Sequence, residues 1–378
     1  MAKKKEDLGL EETIGLINKR YGDGTIVRAS ESPRLKLKRI PFGIPVLDLA
    51  LDGGIPRGRI ILIKGPYSSG KSLLAYQIAS EVQKRCRVCG KQYDRCDVFT
   101  GEVLESLCTC MEPTPSEVVW ADAEHVFNDD WAKRRGVLLK HCYVIQPEYS
   151  EQTIDVTDIV IRSRKSDLIV IDSIAAMAPS VEVEKSSEET NVAPQARLMN
   201  KAFRKFGSAL NSGSMAEDNM PTIILINQTR KTIGPFGGET MTGGEGQKFH
   251  SSMILGLSIA GLIKYGSEDN AKPIGHNIGV KVVKSNTSRP RRSCMFPYFY
   301  DTIPKLGLKA GTIGFWHQIL ALGESIGKVQ KKGSWFSIAD GPNLGQGEHK
   351  AAIGLSENPE VAREIWEESC AETWGNVD

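Results

Sequence analysis

The chain has 378 residues, 40% hydrophobic and 25% charged, which allows one large core with appendages or two modest domains in an ordinary soluble globular protein. No apolar run reaches the length of a membrane span, and the start Met1-Ala2-Lys3-Lys4-Lys5-Glu6-Asp7 lacks the apolar stretch of a secretory signal, so the chain reads as cytoplasmic with no membrane partner. A net charge of +2 is too small to imply nucleic acid by itself, so any such site must be local.

Residues 9–20 place Leu10, Ile14, Leu16 and Ile17 at helical spacing, and the glycines of Tyr21-Gly22-Asp23-Gly24 end that helix. Residues 1–36 read as a small N-terminal element whose apolar stripe packs either on the chain's own core or against a neighbouring subunit. From 37 to about 300, strand-like runs near 60, 118, 142, 168 and 223 alternate with helix-like runs after 71, 129, 151 and 194. That alternation predicts an α/β core with a mostly parallel central sheet. The runs 253–260 and 277–283 lack long helices between them and predict antiparallel strands added at one edge. Residues 301–378 change character, with helical runs at 319–322 and 360–368 around a turn-rich stretch, and read as a small C-terminal α/β lobe.

The first chemical motif is Gly65-Pro66-Tyr67-Ser68-Ser69-Gly70-Lys71-Ser72, between the apolar run Ile60-Ile61-Leu62-Ile63 and a helix-forming run that starts at Leu73. Strand, Gly-rich loop and helix in this order make a P-loop, in which backbone N–H groups and the helix dipole meet phosphate oxygens. Lys71 is placed for the β- and γ-phosphates of a nucleoside triphosphate, and the Ser72 hydroxyl for Mg²⁺.

Of eight cysteines, five fall within a short stretch: Cys86, Cys89, Cys96, Cys108 and Cys110. Cys86-x2-Cys89 and Cys108-x-Cys110 are two close thiolate pairs suited to a tetrahedral Zn²⁺, with Cys96 as an alternative ligand. Unligated reduced thiols and an iron–sulfur cluster are the other readings.

Val118-Val119-Trp120-Ala121 leads into Asp122-Ala123-Glu124-His125, which makes Glu124 a candidate general base or water-orienting group, or else a solvated loop carboxylate. Leu168-Ile169-Val170-Ile171 ends in Asp172, the Walker-B pattern of a carboxylate beside the Mg²⁺ of a P-loop. Ile223-Ile224-Leu225-Ile226 ends in Asn227-Gln228, amides that cannot act as bases but can sense a γ-phosphate and pass its presence to the next loop.

In order and spacing, these segments, with Ile226-Asn227-Gln228-Thr229-Arg230, Thr242-Gly243-Gly244 and the ending Asn358-Pro359-Glu360-Val361-Ala362-Arg363-Glu364-Ile365, resemble the bacterial RecA recombinases. The resemblance runs from about residue 10 to about 368 and implies an ATP-dependent helical filament on single-stranded DNA that exchanges strands with a homologous duplex. It implies that Glu124 is the catalytic glutamate, Asp172 the Walker-B aspartate, Gln228 the switch amide coupling ATP to DNA, and Trp131 an aromatic that stacks on adenine. Lys248, Lys281 and Lys284 match positions that act across the subunit interface, Lys284 on the neighbour's γ-phosphate. Two loops would face DNA, at 181–195 and 229–247. Arg197, Arg204 and Arg230 would meet phosphates, Val192 and Phe236 would wedge between bases, and Gly243 and Gly244 would let backbone N–H groups approach.

The sequence departs from the family in three places. Asn286 stands where many members carry a second trans-acting lysine, Tyr67 replaces the usual acidic P-loop residue, and residues 86–116 are inserted where a short connection would do. Two rivals share the ATPase motifs: a ring-forming motor or helicase, and a DNA-binding regulatory filament with little turnover.

Overall fold

A computed structural model of the chain describes residues 9–31, 37–89, 91–96, 103–180, 194–212, 220–231, 239–266, 271–304 and 307–374. Val192 and Phe236 lie outside these residues. The core is a ten-stranded sheet. Its parallel part runs in the order Met253–Tyr265, Ile60–Gly65, Thr222–Lys231, Leu168–Asp172, Val118–Asp122, Cys142–Ile145. Central parallel strands are covered on both faces, which is why they read as unbroken Ile, Leu and Val. The pleat sends successive residues to opposite sides. Ile61 and Ile63 pack with Leu74 and Ile78 of the helix Lys71–Gln83. Ile60 and Leu62 pack with Ile154 of Ser150–Ser163 and with Phe203 and Phe206 of Pro194–Leu210. Each such buried side chain contributes about 1.5–3 kcal/mol, so the sheet is a rigid base for whatever projects from its strand tips.

The other edge is antiparallel, as the sequence suggests: Met253–Tyr265 pairs with Lys272–Ser285, which pairs with Ser293–Phe299. Thr312–Ile313 then adds a last strand, so the central sheet continues past residue 301. Beyond it, the helices Phe315–Ser325, Glu348–Ser356 and Pro359–Trp374 pack with a three-stranded antiparallel sheet around Ile319, Phe336, Leu344, Leu355 and Ile365. At its junction with the sheet, His317 Nε2 and His349 Nδ1 are 2.9 Å apart, and both rings lie against Phe299.

The N-terminal helix Leu10–Tyr21 has no buried residue. Among the described residues its stripe enters no core, and Leu10 and Leu16 are 76% and 52% exposed.

The cysteine-bearing segment 86–116 contains the antiparallel strands Asp94–Cys96 and Val103–Ser106. Bridges between Arg85 and Gln92 and between Cys86 and Pro115 bring its two ends together. It sits where the parallel strands begin, since Arg87 approaches Asp167, the residue before the strand Leu168–Asp172, at 3.6 Å. Asp167 also pairs with Arg57 at 2.8 Å.

Candidate nucleotide-binding site

The C-terminal tips of four adjacent parallel strands converge on one pole, where open α/β sheets place their ligands. The strand Ile60–Gly65 delivers the P-loop there. Gly70, with φ of +88°, starts the following helix in a left-handed conformation, and a Cβ there would lie 2.7 Å from Ile278 Cδ1, so only glycine fits. Ser69 Oγ donates to the Pro66 carbonyl at 2.9 Å, and Lys71 Nζ donates to the same oxygen at 2.7 Å. Lys71 is buried, which lowers its ammonium below the ordinary lysine value against the opposing pull of Asp172 and Glu124.

Ser72 Oγ donates to Asp172 Oδ2 at 2.8 Å, so the two predicted Mg²⁺ groups meet across the strand tips. A hydroxyl and a buried carboxylate form the hard oxygen set that suits Mg²⁺. Burial pushes the Asp172 carboxyl up to about 6, with Glu124 and Asp122 adding to the rise and Ser72 and Lys71 opposing it.

Asp122 is fully buried and accepts from the Val126 and Phe127 amides, both at 3.0 Å. It shapes the turn that projects Glu124. The Asp172 carbonyl accepts from the Ala123 amide at 2.8 Å and ties this turn to the next strand tip. Glu124 Oε1 accepts from Gln228 Nε2 at 2.9 Å and also from Ser173 Oγ. The candidate base is therefore bonded directly to the candidate switch amide.

The amides continue inward. Asn227 is fully buried, and its Nδ2 donates to Gln247 Oε1 at 2.7 Å and to the Thr242 carbonyl at 2.8 Å. Gln247 Nε2 in turn donates to the Thr242 and Gly244 carbonyls, each at 2.8 Å. Gly243 has φ of +85°, and a Cβ there would approach Ile174 to 2.9 Å. Beyond Gln228, Thr229 to Lys231 pair antiparallel with Glu239–Met241, so a hairpin starts directly from the strand tip that carries Gln228.

A cavity of about 220 Å³ beside Ser72 and Asp172 is lined also by Tyr76, Asn128, Trp131 and Tyr298. Asn128 Oδ1 caps the helix Asp129–Arg134 by accepting from the Trp131 amide at 2.8 Å, which sets the indole at the wall. The Arg134 guanidinium lies 5.5 Å from its ring centre. Arg197 and Arg204 are exposed on the helix Pro194–Leu210, with exposed Lys201 between them at helical spacing. Arg230 is exposed at the base of the hairpin.

Lys248 Nζ pairs with Glu245 at 2.6 Å. Lys284 Nζ donates to the carbonyls of Lys248, Phe249 and Ser251 at 2.9, 3.1 and 2.8 Å, and so caps the end of the helix Gly246–His250 within its own chain. A larger cavity, about 560 Å³, lies at the opposite pole between the insertion and the core, lined by Arg39, Arg57, Arg85, Lys91 and Asp167.

Sequence reasoning missed Ser173, Gln247, Lys201 and Tyr298. Ser173 directly follows the Walker-B aspartate and could have been found by that adjacency. Tyr298 comes from an edge strand distant in sequence and carries no local signal.

Fold and site together define a P-loop ATPase fold in which the strand carrying Gln228 leads into a hairpin. The RecA N-terminal domain family matches residues 8–93 and 101–303, and the RecA C-terminal domain family matches 317–371. A protein named Protein RecA from Streptomyces avermitilis is 33% identical over 368 residues, covering 97% of this chain and 85% of that one. Others with that name, from Campylobacter hominis and Mycolicibacterium gilvum, are each 35% identical, covering 94% of this chain and 89% of their own. The chain belongs to the bacterial RecA family, the recombinases of homologous recombination and repair. Membership implies a DNA-dependent ATPase that uses ATP and Mg²⁺, binds DNA and forms filaments.

Proposed function

We propose that this chain hydrolyses ATP in a helical filament on single-stranded DNA and couples turnover to strand exchange with duplex DNA. The observation that carries the reading is the bond from Gln228 Nε2 to Glu124 Oε1 at 2.9 Å, at the point where the strand runs on into the hairpin. A γ-phosphate oxygen is a competing acceptor for that amide. Moving the Gln228 bond to phosphate frees the Glu124 carboxylate to orient the attacking water and shifts the hairpin base toward DNA. Lys71 exchanges the Pro66 carbonyl for the β- and γ-phosphate oxygens, beside the backbone N–H groups of Gly65 to Ser72. Ser72 and Asp172 would hold Mg²⁺, which would supply positive charge against the charge developing on the phosphates. Trp131 walls the base cavity in this reading. Arg197, Arg204 and Arg230 contact DNA phosphates, Gly243 and Gly244 present backbone N–H groups, and Val192 and Phe236 supply the wedges.

The division into 1–36, 37–300 and 301–378 belongs to the same reading; the separate apolar core around Phe336 supports a C-terminal lobe, with Thr312–Ile313 still in the central sheet. Zn²⁺ at the cysteine cluster is its third cofactor. Cytoplasmic localisation is also part of it, and among the described residues no helix is long and apolar enough to cross a membrane.

The deciding experiment measures ATP hydrolysis with single-stranded DNA, with duplex DNA and with none, for the wild type and Glu124→Gln. Stimulation by single strands that vanishes in the variant supports the reading. Equal turnover in all three conditions overturns it. A filament with little turnover is the second reading, favoured by the in-chain cap on Lys284 and by Asn286; assembly on DNA without stimulated hydrolysis would select it.

A further inference from the structure

The Sγ atoms of Cys86, Cys89, Cys108 and Cys110 all lie within 4.8 Å of one another. Cys86 and Cys110 are 3.9 Å apart and Cys89 and Cys108 are 3.7 Å apart. A disulfide requires about 2.05 Å, and all four cysteines are free. A tetrahedral ion with Zn–S bonds of about 2.3 Å sets its sulfurs about 3.8 Å apart, close to both distances. An iron–sulfur cluster divides its four thiolates over two or four irons, which sets those on different irons farther apart than a single ion does.

The backbone brings the four thiols together independently of the sulfurs. The Cys86 amide donates to the Lys91 carbonyl at 2.7 Å, closing the first knuckle directly after the helix Lys71–Gln83. The Tyr93 carbonyl accepts from the Leu107 and Cys108 amides at 2.9 and 3.2 Å and so places the second knuckle opposite. Arg87 N donates to the Thr114 carbonyl at 2.8 Å, and Ser116 N to the Arg85 carbonyl at 3.2 Å, which fastens both strands of the entry. Cys86 is fully buried, and Cys89 is exposed. The side chain of Cys96 lies outside the described residues.

We propose that Cys86, Cys89, Cys108 and Cys110 hold one Zn²⁺ as a closed tetrathiolate centre that pins the inserted segment to the pole of the sheet away from the nucleotide. The proposal takes up the Zn²⁺ of the preceding reading. Four thiolates leave no open coordination position, so the centre is structural rather than hydrolytic. The metal closes the 89–108 loop and so fixes Lys91 and Arg85 in the wall of the larger basic cavity.

The test uses the full-length protein purified without added metal. Metal analysis should give one zinc per chain, and exchange with Co²⁺ should give the visible bands of a tetrahedral thiolate site. Cys108→Ser should lose the zinc and become sensitive to limited proteolysis between 90 and 107, whereas Cys96→Ser should keep it. Should Cys108→Ser fail to fold, chelator-stripped wild type takes its place, with proteolysis and Co²⁺ uptake as readouts. A metal-free wild type, bound iron instead of zinc, or loss of metal from Cys96→Ser overturns the assignment. The stripped protein should still bind Mg²⁺-ATP; zinc present with no DNA-stimulated turnover would sink the recombinase reading alone and leave this one standing.

Discussion

Asp172 is 3% exposed, and its carboxyl sits at about 6 against an ordinary 3.8. A carboxyl raised in the folded state binds extra protons between those two values, so its contribution to stability falls as pH rises through that window and is least at neutral pH. Two units at about 1.4 kcal/mol each set an upper bound near 3 kcal/mol. Asp172→Asn should therefore make the nucleotide-free protein about 1–3 kcal/mol more stable at pH 7.5 in denaturant titration, while Mg²⁺-dependent ATP turnover is lost. In the wild type, Mg²⁺-ATP affinity measured by calorimetry should drop as pH falls through about 6, where the carboxylate takes up its proton. Glu124→Gln keeps the shape and should lower turnover by about 10²-fold or more with ATP affinity retained. Lys71, Ser72 and Asp172 were all legible in the sequence because a loop and a strand end each carry a local pattern. The bond between Glu124 and Gln228 was not, because 104 residues separate them and only the parallel order of the strands makes them neighbours.

In the proposed mechanism the unit that joins nucleotide to hairpin is a strand end rather than a residue. Its buried Asn227 holds Gln247 and the Thr242 carbonyl together. Asn227→Ala would leave those groups without their donor, at a cost of about 1–3 kcal/mol, and should abolish the DNA dependence of hydrolysis more than basal turnover, read as a ratio of the two rates. A second element, the seam between sheet and C-terminal lobe, carries a different pH response. Burial and the facing His349 push His317 down to about 3, and burial also lowers His349. A base depressed in the folded state favours unfolding once pH falls below its unfolded value near 6.5, because only the unfolded chain then takes up the proton. The melting temperature should fall on acidification below about 6.5, and His317→Gln should flatten that slope in a thermal scan. Ile60 to Ile63, Leu168 to Ile171 and Ile223 to Ile226 announced their strands by unbroken apolar runs. Trp335–Ile338 and Asn343–Gln346 did not, since short strands split by glycine turns resemble loops, and Val103–Ser106 is too short and polar to declare itself.

At the scale of the whole molecule, apolar surface is left without a partner among the described residues. Leu10 and Leu16 project from a helix with no buried residue. If a second copy covers that stripe, Leu16→Glu should reduce assembly on single-stranded DNA, followed by light scattering, without changing the melting temperature of the isolated subunit. The sequence alone leaves open whether this stripe meets its own core or another chain, because helical periodicity reports amphipathicity and not the identity of what covers it. The insertion raises a different matter, that of architecture. It leaves the chain after Cys86 and returns at Pro115, which are paired across a bridge. The excursion therefore begins and ends at nearly the same place, and the strand that follows it, Val118–Asp122, pairs with Leu168–Asp172 in an unbroken register. Closing a loop grows more costly only with the logarithm of its length. Such a position behaves as a socket: what is plugged in between 87 and 114 can be exchanged for another small domain, or a reporter, with the catalytic pole blind to the swap.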